Sequence, residues 1–329
     1  MNTVANRPLV GTVIGDPSGI GPEVVAKAWC SGGVHQCSRP VLIGSRFAME
    51  EAVRSARLSA EVRTISSVAE LSDSPGVIEI LDSGTLDSSD ILPGRDNAAC
   101  GRASGVWLDE ADRLAREGVL AATVMGPIST GAMKMAGVLE KVVKVTPGES
   151  YLFLVSGPLR VSHVTDHMPL RQVCDLLSEK LVAQSLITLD ERLRAWGIIA
   201  PRIGVAGLNP HAVGEEEERA ITPGVRRAIA MGVRAEGPIS PDAIFRQCIE
   251  GRYDAILAMY HDQGHIAIKT WGFSGNAAVI IGPPYVHLSV AHGTAYDIVG
   301  KGIADHRMML NAMRTAGSLA AGAGFPKEL

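Results

Sequence analysis

The chain is poor in aromatics. Phe, Trp and Tyr make up 4% of its 329 residues, so a core must rest on Val, Ile, Leu, Ala and Met within a hydrophobic share of 46%. Charge bias is small. The net charge is −4 and no block of Lys and Arg occurs, which argues against nucleic acid as a partner. The five cysteines, Cys30, Cys37, Cys100, Cys174 and Cys248, include no Cys-x-x-Cys pair. Such spacing fits reduced thiols and a cytoplasmic location better than a disulfide framework. No run approaches the roughly 18 apolar residues of a membrane span. The N-terminal residues contain no apolar leader core, so no membrane association is expected. Internal repeats, low-complexity stretches and linker-like segments are also missing. The chain exceeds the usual single-core size, so two domains or one large α/β unit are expected.

What is present is alternation. Strand patterns over 9–14, 40–44, 77–81 and 120–125 alternate with helical patterns over 24–29, 46–56 and 98–117. That order predicts a mostly parallel sheet with helices packed on it. Short segments follow at 142–146 and 151–156, then a strand at 160–165 and helices at 171–187 and 189–197. Further strands are expected at 203–208 and 277–281, and helices at 243–250 and 308–320. The acidic run 215–218 reads as a solvated face opening a helix. The turn 15–23, Gly-Asp-Pro-Ser-Gly-Ile-Gly-Pro-Glu, either offers backbone N–H groups to an anion or is a tight strand-to-helix turn. It matches neither G-x-G-x-x-G nor a Walker loop.

The stretch 253–269 is the densest in chemistry. An apolar run ends at Met259 and Tyr260, then His261, Asp262, Gln263, His265 and Lys269 follow. Ligands of open α/β sheets bind beyond the carboxyl ends of strands. Two other expected strands also end in a histidine, His167 and His211. Three imidazoles from neighbouring strand ends could hold a catalytic metal with positions left open, and Asp166, Asp242 and Asp262 could orient them. Spacing alone leaves this open beside a bland reading, since the chain has nine histidines.

The motifs Gly15-Asp16-Pro17-Ser18-Gly19-Ile20-Gly21-Pro22-Glu23, Asp166-His167-Met168-Pro169-Leu170, Gly207-Leu208-Asn209-Pro210-His211, Met259-Tyr260-His261-Asp262-Gln263-Gly264 and Ser289-Val290-Ala291-His292-Gly293-Thr294-Ala295-Tyr296-Asp297 together resemble the 4-hydroxythreonine-4-phosphate dehydrogenase family. They run in order over residues 10–305. The resemblance implies the two-domain α/β fold of isopropylmalate dehydrogenase, mostly parallel sheets with helices on both faces, and an active site in the interdomain cleft. One domain would comprise 1–130 with about 276–329, the other about 131–275. It implies a homodimer and one divalent metal (Zn, Co, Mn or Mg) on His167, His211 and His261. NAD or NADP would meet the loop through His292, Gly293, Thr294, Ala295 and Asp297. Lys269, Asp242 and Asp262 would be catalytic, with Lys269 also on the substrate, a small hydroxy acid. The implied reaction oxidises a secondary alcohol β to a carboxylate, with decarboxylation after it; three imidazoles lean away from Mg²⁺.

The chain departs from the family where a phosphate would sit. Gly148, Glu149 and Ser150 replace His-Thr-Glu, Ala278 replaces Asn, His287 replaces Arg and Thr130 replaces Lys. Glu149, Ser150 and His287 are therefore the candidate substrate-specific positions. A phosphate dianion favours Arg forks and several donors, so a non-phosphorylated substrate such as an aromatic dicarboxylate cis-dihydrodiol, or a phosphorylated sugar acid, is the alternative. A non-catalytic binding protein is a distant one.

Overall fold

A computed structural model describes residues 7–142, 145–272 and 276–326. In chain order the elements are β1 Leu9–Val13, α1 Gly21–Cys30, α2 Gly33–Cys37, β2 Arg39–Ile43, α3 Arg46–Ser55, β3 Glu61–Ile65, β4 Val77–Leu81, α4 Ala98–Arg116, β5 Ala122–Met125 and α5 Thr130–Met135. There follow β6 Tyr151–Ser156, β7 Leu159–His163, α6 Leu170–Leu176, α7 Glu179–Ala195, β8 Ile203–Ala206, α8 Thr222–Ala230, β9 Ala235–Ile239, α9 Pro241–Ile249, β10 Ala255–Ala258, α10 His261–Trp271, β11 Ala277–Ile281, β12 Val286–Val290 and α11 Arg307–Ala320. The fold is α/β with mostly parallel strands, as the alternation predicts.

The chain divides into two compact units, 1–143 with 284–321 and 144–283 with 322–329. In the first, strands lie in the order β3-β4-β2-β1-β5-β12, and every pairing is parallel. Its core is aliphatic, with Val10, Val41, Leu42, Ile78, Ile80 and Val124 fully buried on the strands. In the second, the order is β11-β6-β7-β10-β8-β9. Here β7, β10, β8 and β9 are parallel, whereas β6 is antiparallel to both β11 and β7.

Several elements differ from the sequence reading. The helical stretch after residue 170 breaks at Leu177–Ser178 and not near 188, because Ser178 is extended and its hydroxyl accepts from Leu181 N, capping α7. The run 215–218 opens a helix as expected, but Glu217 is not solvated. It is 3% exposed, and its carboxylate accepts from Leu208 N, Asn209 N and Asn209 Nδ2. The strands β3, β9 and β12 are additions. The expected segment 142–146 includes residues 143 and 144, which lie outside the described residues.

Candidate active site

In the second unit, β7, β10 and β8 are adjacent and parallel, so their carboxyl ends fall on one edge. Beyond β7 come Thr165, Asp166 and His167; beyond β10 come Met259, Tyr260 and His261. Cross-links set their spacing: Val164 N donates to Ala258 O (2.9 Å) and Thr165 Oγ1 to Met259 O (2.9 Å). Gln263 is buried and ties α10 to both neighbours, accepting from Met259 N and donating to Gly207 O, each at 2.7 Å. The polar cluster after the apolar run is therefore the start of a helix.

Among the described residues, ligand atoms of Asp166, His167 and His261 lie within 4.8 Å of one another. The His167 and His261 rings are 4.5 Å apart. Asp166 Oδ1 is buried without a hydrogen-bond donor and stands 2.9 Å from His167 Nδ1. His261 Nδ1 meets Asp262 Oδ1 at 2.7 Å, and this bond holds the exposed Asp262 carboxyl below its ordinary range. A carboxylate on one imidazole nitrogen fixes the ring and leaves the other free as a ligand.

Two further histidines adjoin the set. His265 stacks on His261 at 3.6 Å and 16°, and its Nδ1–H donates to His261 O at 3.0 Å. His163, 1% exposed, donates Nδ1–H to Leu152 O at 3.0 Å. Its Nε2 is buried without a partner, and burial pushes the ring down to about 3. A Cβ on Gly264 would stand 2.2 Å from that nitrogen, so glycine there lets α10 lie on the ring.

His211 is not in the three-residue set. It is exposed, in a turn at Pro210–Ala212, with φ +58° and Ala212 at +55°. Its strand, β8, is on the far side of β10 from β7, so it is one strand from His261 and two from His167, with neighbouring strands roughly 4.8 Å apart. His211 instead neighbours Asp242, whose exposed carboxyl is held low by the Ser240 hydroxyl (2.6 Å) and, more weakly, by His211. Lys269 is exposed on α10, one turn beyond His265. Glu149 is exposed on the turn before β6, and Ser150 is buried there with Oγ accepting from Thr146 N at 2.7 Å.

In the first unit, the turn 15–23 spends its amides on protein. Asp16 N donates to Pro127 O, Ser18 N to Asp16 Oδ1 and Ile20 N to Thr294 O, each at 2.9 Å, which is the tight-turn reading. The loop 292–297 lies on that turn. A Cβ on Gly19 would fall 2.8 Å from Thr294 Cβ. His292 bonds within its own loop, and its Nε2 is buried without a partner. Gly293 and Asp297 are exposed, and Ala295 is left-handed at φ +41°. His287 is not at a surface. It is 6% exposed on β12, 2.7 Å from Thr123 Oγ1, and burial pushes it down to about 4. A ring so enclosed presents little surface.

Residues 36–316 match the model of the family described as pyridoxal phosphate biosynthetic protein PdxA. The chain belongs to this family. A Novosphingobium aromaticivorans protein assigned as a 4-hydroxythreonine-4-phosphate dehydrogenase is 57% identical, covering 97% of each chain. A Clostridium botulinum protein assigned as a D-threonate 4-phosphate dehydrogenase is 34% identical over 94% of this chain and 96% of its own. Among solved structures, a 4-hydroxythreonine-4-phosphate dehydrogenase from Klebsiella pneumoniae superposes with TM-score 0.85 at 35% identity, covering 95% of this chain and 99% of its own. A terephthalate 1,2-cis-dihydrodiol dehydrogenase from Burkholderia xenovorans LB400 reaches 0.69 at 29% identity, covering 95% and 98%. This PdxA-family chain is accordingly an oxidoreductase of the dehydrogenase kind.

Its membership leaves three local features to the structure alone. Asp166 stands among the candidate metal ligands and not only behind them. His163 and His265 extend the cluster. Glu217, read as surface charge, braces the turn that carries His211. The signal in the sequence for the first was the Asp-His pair itself; the buried Glu217 had none.

Proposed function

We propose that this chain is an NAD(P)-linked, divalent-metal-dependent dehydrogenase that oxidises a secondary alcohol β to a carboxylate, the resulting β-keto acid then losing CO₂. The observation that carries this reading is the Asp166–His167–His261 set at the ends of β7 and β10. Its donors fit a cation. Two imidazoles and a carboxylate suit Zn²⁺, Co²⁺ or Mn²⁺ better than Mg²⁺, and the donor-less Asp166 Oδ1 is an oxygen a cation would satisfy. His211, from the next strand, is proposed as the third imidazole. When bound, the metal supplies Lewis-acid polarisation of the alcohol and the nicotinamide accepts the hydride. The chain's own residues do the rest. Asp262 orients His261, and Asp166 is proposed to serve beside His167 as a ligand. Lys269, about two turns along α10 from His261, presents positive charge to an anionic substrate group. Asp242 is proposed to orient His211. Residues 292–297 are proposed to receive the adenosine part of NAD or NADP, and the working form is proposed to be a homodimer.

The test is metal content and turnover in parallel. His167→Ala and His261→Ala are expected to lower bound divalent metal at least tenfold and abolish NAD(P)H formation. Full metal and full activity in both would overturn the assignment. His211→Ala with full metal would remove only that ligand.

The named substrates of the two relatives described above carry a phosphate, whereas two observations favour a different acid here. Ala278 is 5% exposed and has no polar side chain, and His287 is enclosed on Thr123. Neither supplies the charge-assisted bonds, each worth roughly 1.5–3 kcal/mol, that Asn and Arg would give a phosphate. We propose a non-phosphorylated or differently charged hydroxy acid, of the dihydrodiol or sugar-acid kind. Its kcat/KM is expected to exceed that of 4-phosphohydroxy-L-threonine; equal or higher kcat/KM on the latter refutes this.

A further inference from the structure

The Tyr296 hydroxyl oxygen lies 2.6 Å from Asp16 Oδ2 and 2.7 Å from Asp96 Oδ1. A phenol carries one proton and can donate to one carboxylate at a time. If both carboxylates were ionised, one of these oxygen pairs would hold no proton and would repel. The short pair that remains therefore needs a second proton.

The surroundings say where it sits. Asp16 is 1% exposed, and its other oxygen already accepts from Ser18 N at 2.9 Å. Burial, with Asp96 as a lesser cause, pushes its carboxyl upward against the bonds from Tyr296 and Ser18. Asp96 is exposed, accepts from the Ser129 hydroxyl, and is held low mainly by that bond. Cys100 is a further titratable group near Asp16, and its thiol is also pushed up by burial. The proton therefore belongs to Asp16, which donates to the Tyr296 oxygen, and Tyr296 donates to Asp96.

The chain of bonds spans three segments. Asp16 is in the turn after β1. Asp96 lies against the start of α5, where a Cβ on Gly131 would meet Asp96 Oδ2 at 2.1 Å and where Ser129 caps the helix. Tyr296 is in the loop 292–297, next to the left-handed Ala295. Beside it, a backbone bond from Ile20 N to Thr294 O also joins loop to turn.

We propose that Tyr296 is a positioning residue that holds the loop 292–297 on the Asp16 turn, through a hydrogen-bond chain Asp16–Tyr296–Asp96 in which Asp16 is a neutral acid. The link to catalysis rests on the reading that this loop receives the cofactor; the link to loop order does not.

Hydrogen exchange of residues 292–300 in the full-length protein tests it directly. Tyr296→Phe removes both bonds and is expected to speed exchange there by about tenfold or more, since one of them is a bond to the charged Asp96. Asp96→Ala removes the acceptor and is expected to act in the same direction. Asp16→Asn presents an N–H where the neutral acid presents O–H, so it is expected to keep the wild-type protection. Unchanged exchange in Tyr296→Phe, or equal loss of protection in Asp16→Asn, overturns the proposal. If Tyr296→Phe does not fold, the Asp96 and Asp16 variants decide. Steady-state kinetics add a second reading: in Tyr296→Phe the KM for NAD(P)⁺ is expected to rise while kcat holds. A wild-type protein that neither binds nor reduces NAD(P)⁺ would refute the cofactor reading and leave the exchange result to judge the hydrogen-bond chain.

Discussion

His287 illustrates what a single residue's identity does and does not disclose. Read against a family arginine it marks lost phosphate affinity; in the fold it is a buried neutral imidazole on Thr123. Its titration gives a signed prediction. The folded ring has been pushed down to about 4, whereas an unfolded histidine titrates near 6.5. Below pH ~6.5 the unfolded chain takes up a proton that the folded ring refuses, so stability is full above that pH and falls towards pH 4. The loss from this group is on the order of 2–3 kcal/mol by pH 4. His287→Gln, which cannot titrate, is expected to flatten that part of the curve of urea-unfolding free energy against pH. An unchanged slope between pH 7 and 4.5 would show that the ring is not held neutral. His261 was more legible than His287, because a polar cluster at a strand end has a chemical reason to be there. That His261 meets His167 was implied by the family resemblance, whereas spacing alone could not show it, since it depends on β7 lying beside β10.

At the scale of elements, strands with apolar runs were easy to read and edge strands were not. β4, β6 and β11 fall on the expected residues, being near-continuous apolar segments. β9, Ala-Glu-Gly-Pro-Ile, looks like a turn, because Gly weakens a strand and Pro is tolerated within one mainly at a sheet's edge, where β9 lies. β3 is half polar and also sits at an edge. The break between α6 and α7 was hidden for a different reason. Apolar periodicity runs through it, and only the Ser178 cap separates the two helices. Ser178→Ala is expected to cost about 1 kcal/mol in chemical denaturation. A cost near zero, with α7 protected from exchange as before, would mean that the helix is set by its packing and not by its cap.

Across the whole molecule, alternation of strand and helix disclosed an α/β fold and hid where the chain changes units. The expected switch points, 130 and 276, fall at a Gly-Pro turn and before an apolar strand; compactness puts them at 143 and 283. Residues 322–326 return to the second unit, which no local pattern announced. There the Phe325 ring lies 5.9 Å from Phe153 and 6.0 Å from Trp196, and Arg160 stands over it at 4.5 Å. Phe153 is fully buried on β6 and Trp196 follows α7, so Phe325 covers that unit's aromatic core. In a chain with 4% aromatics, three meeting at one place carry much of the local packing. Phe325 is half-buried, so Phe325→Ala is expected to cost about 2 kcal/mol, below the roughly 3–5 typical of a fully buried Phe. The cost should be local. Amide protection is expected to fall in β6 and β7 and to hold in β1 and β5, because a segment opens more readily where its own packing has been removed. Equal loss of protection in both sets of strands would mean that the two units open as one, and that assigning the C-terminal residues to the second unit has no energetic content.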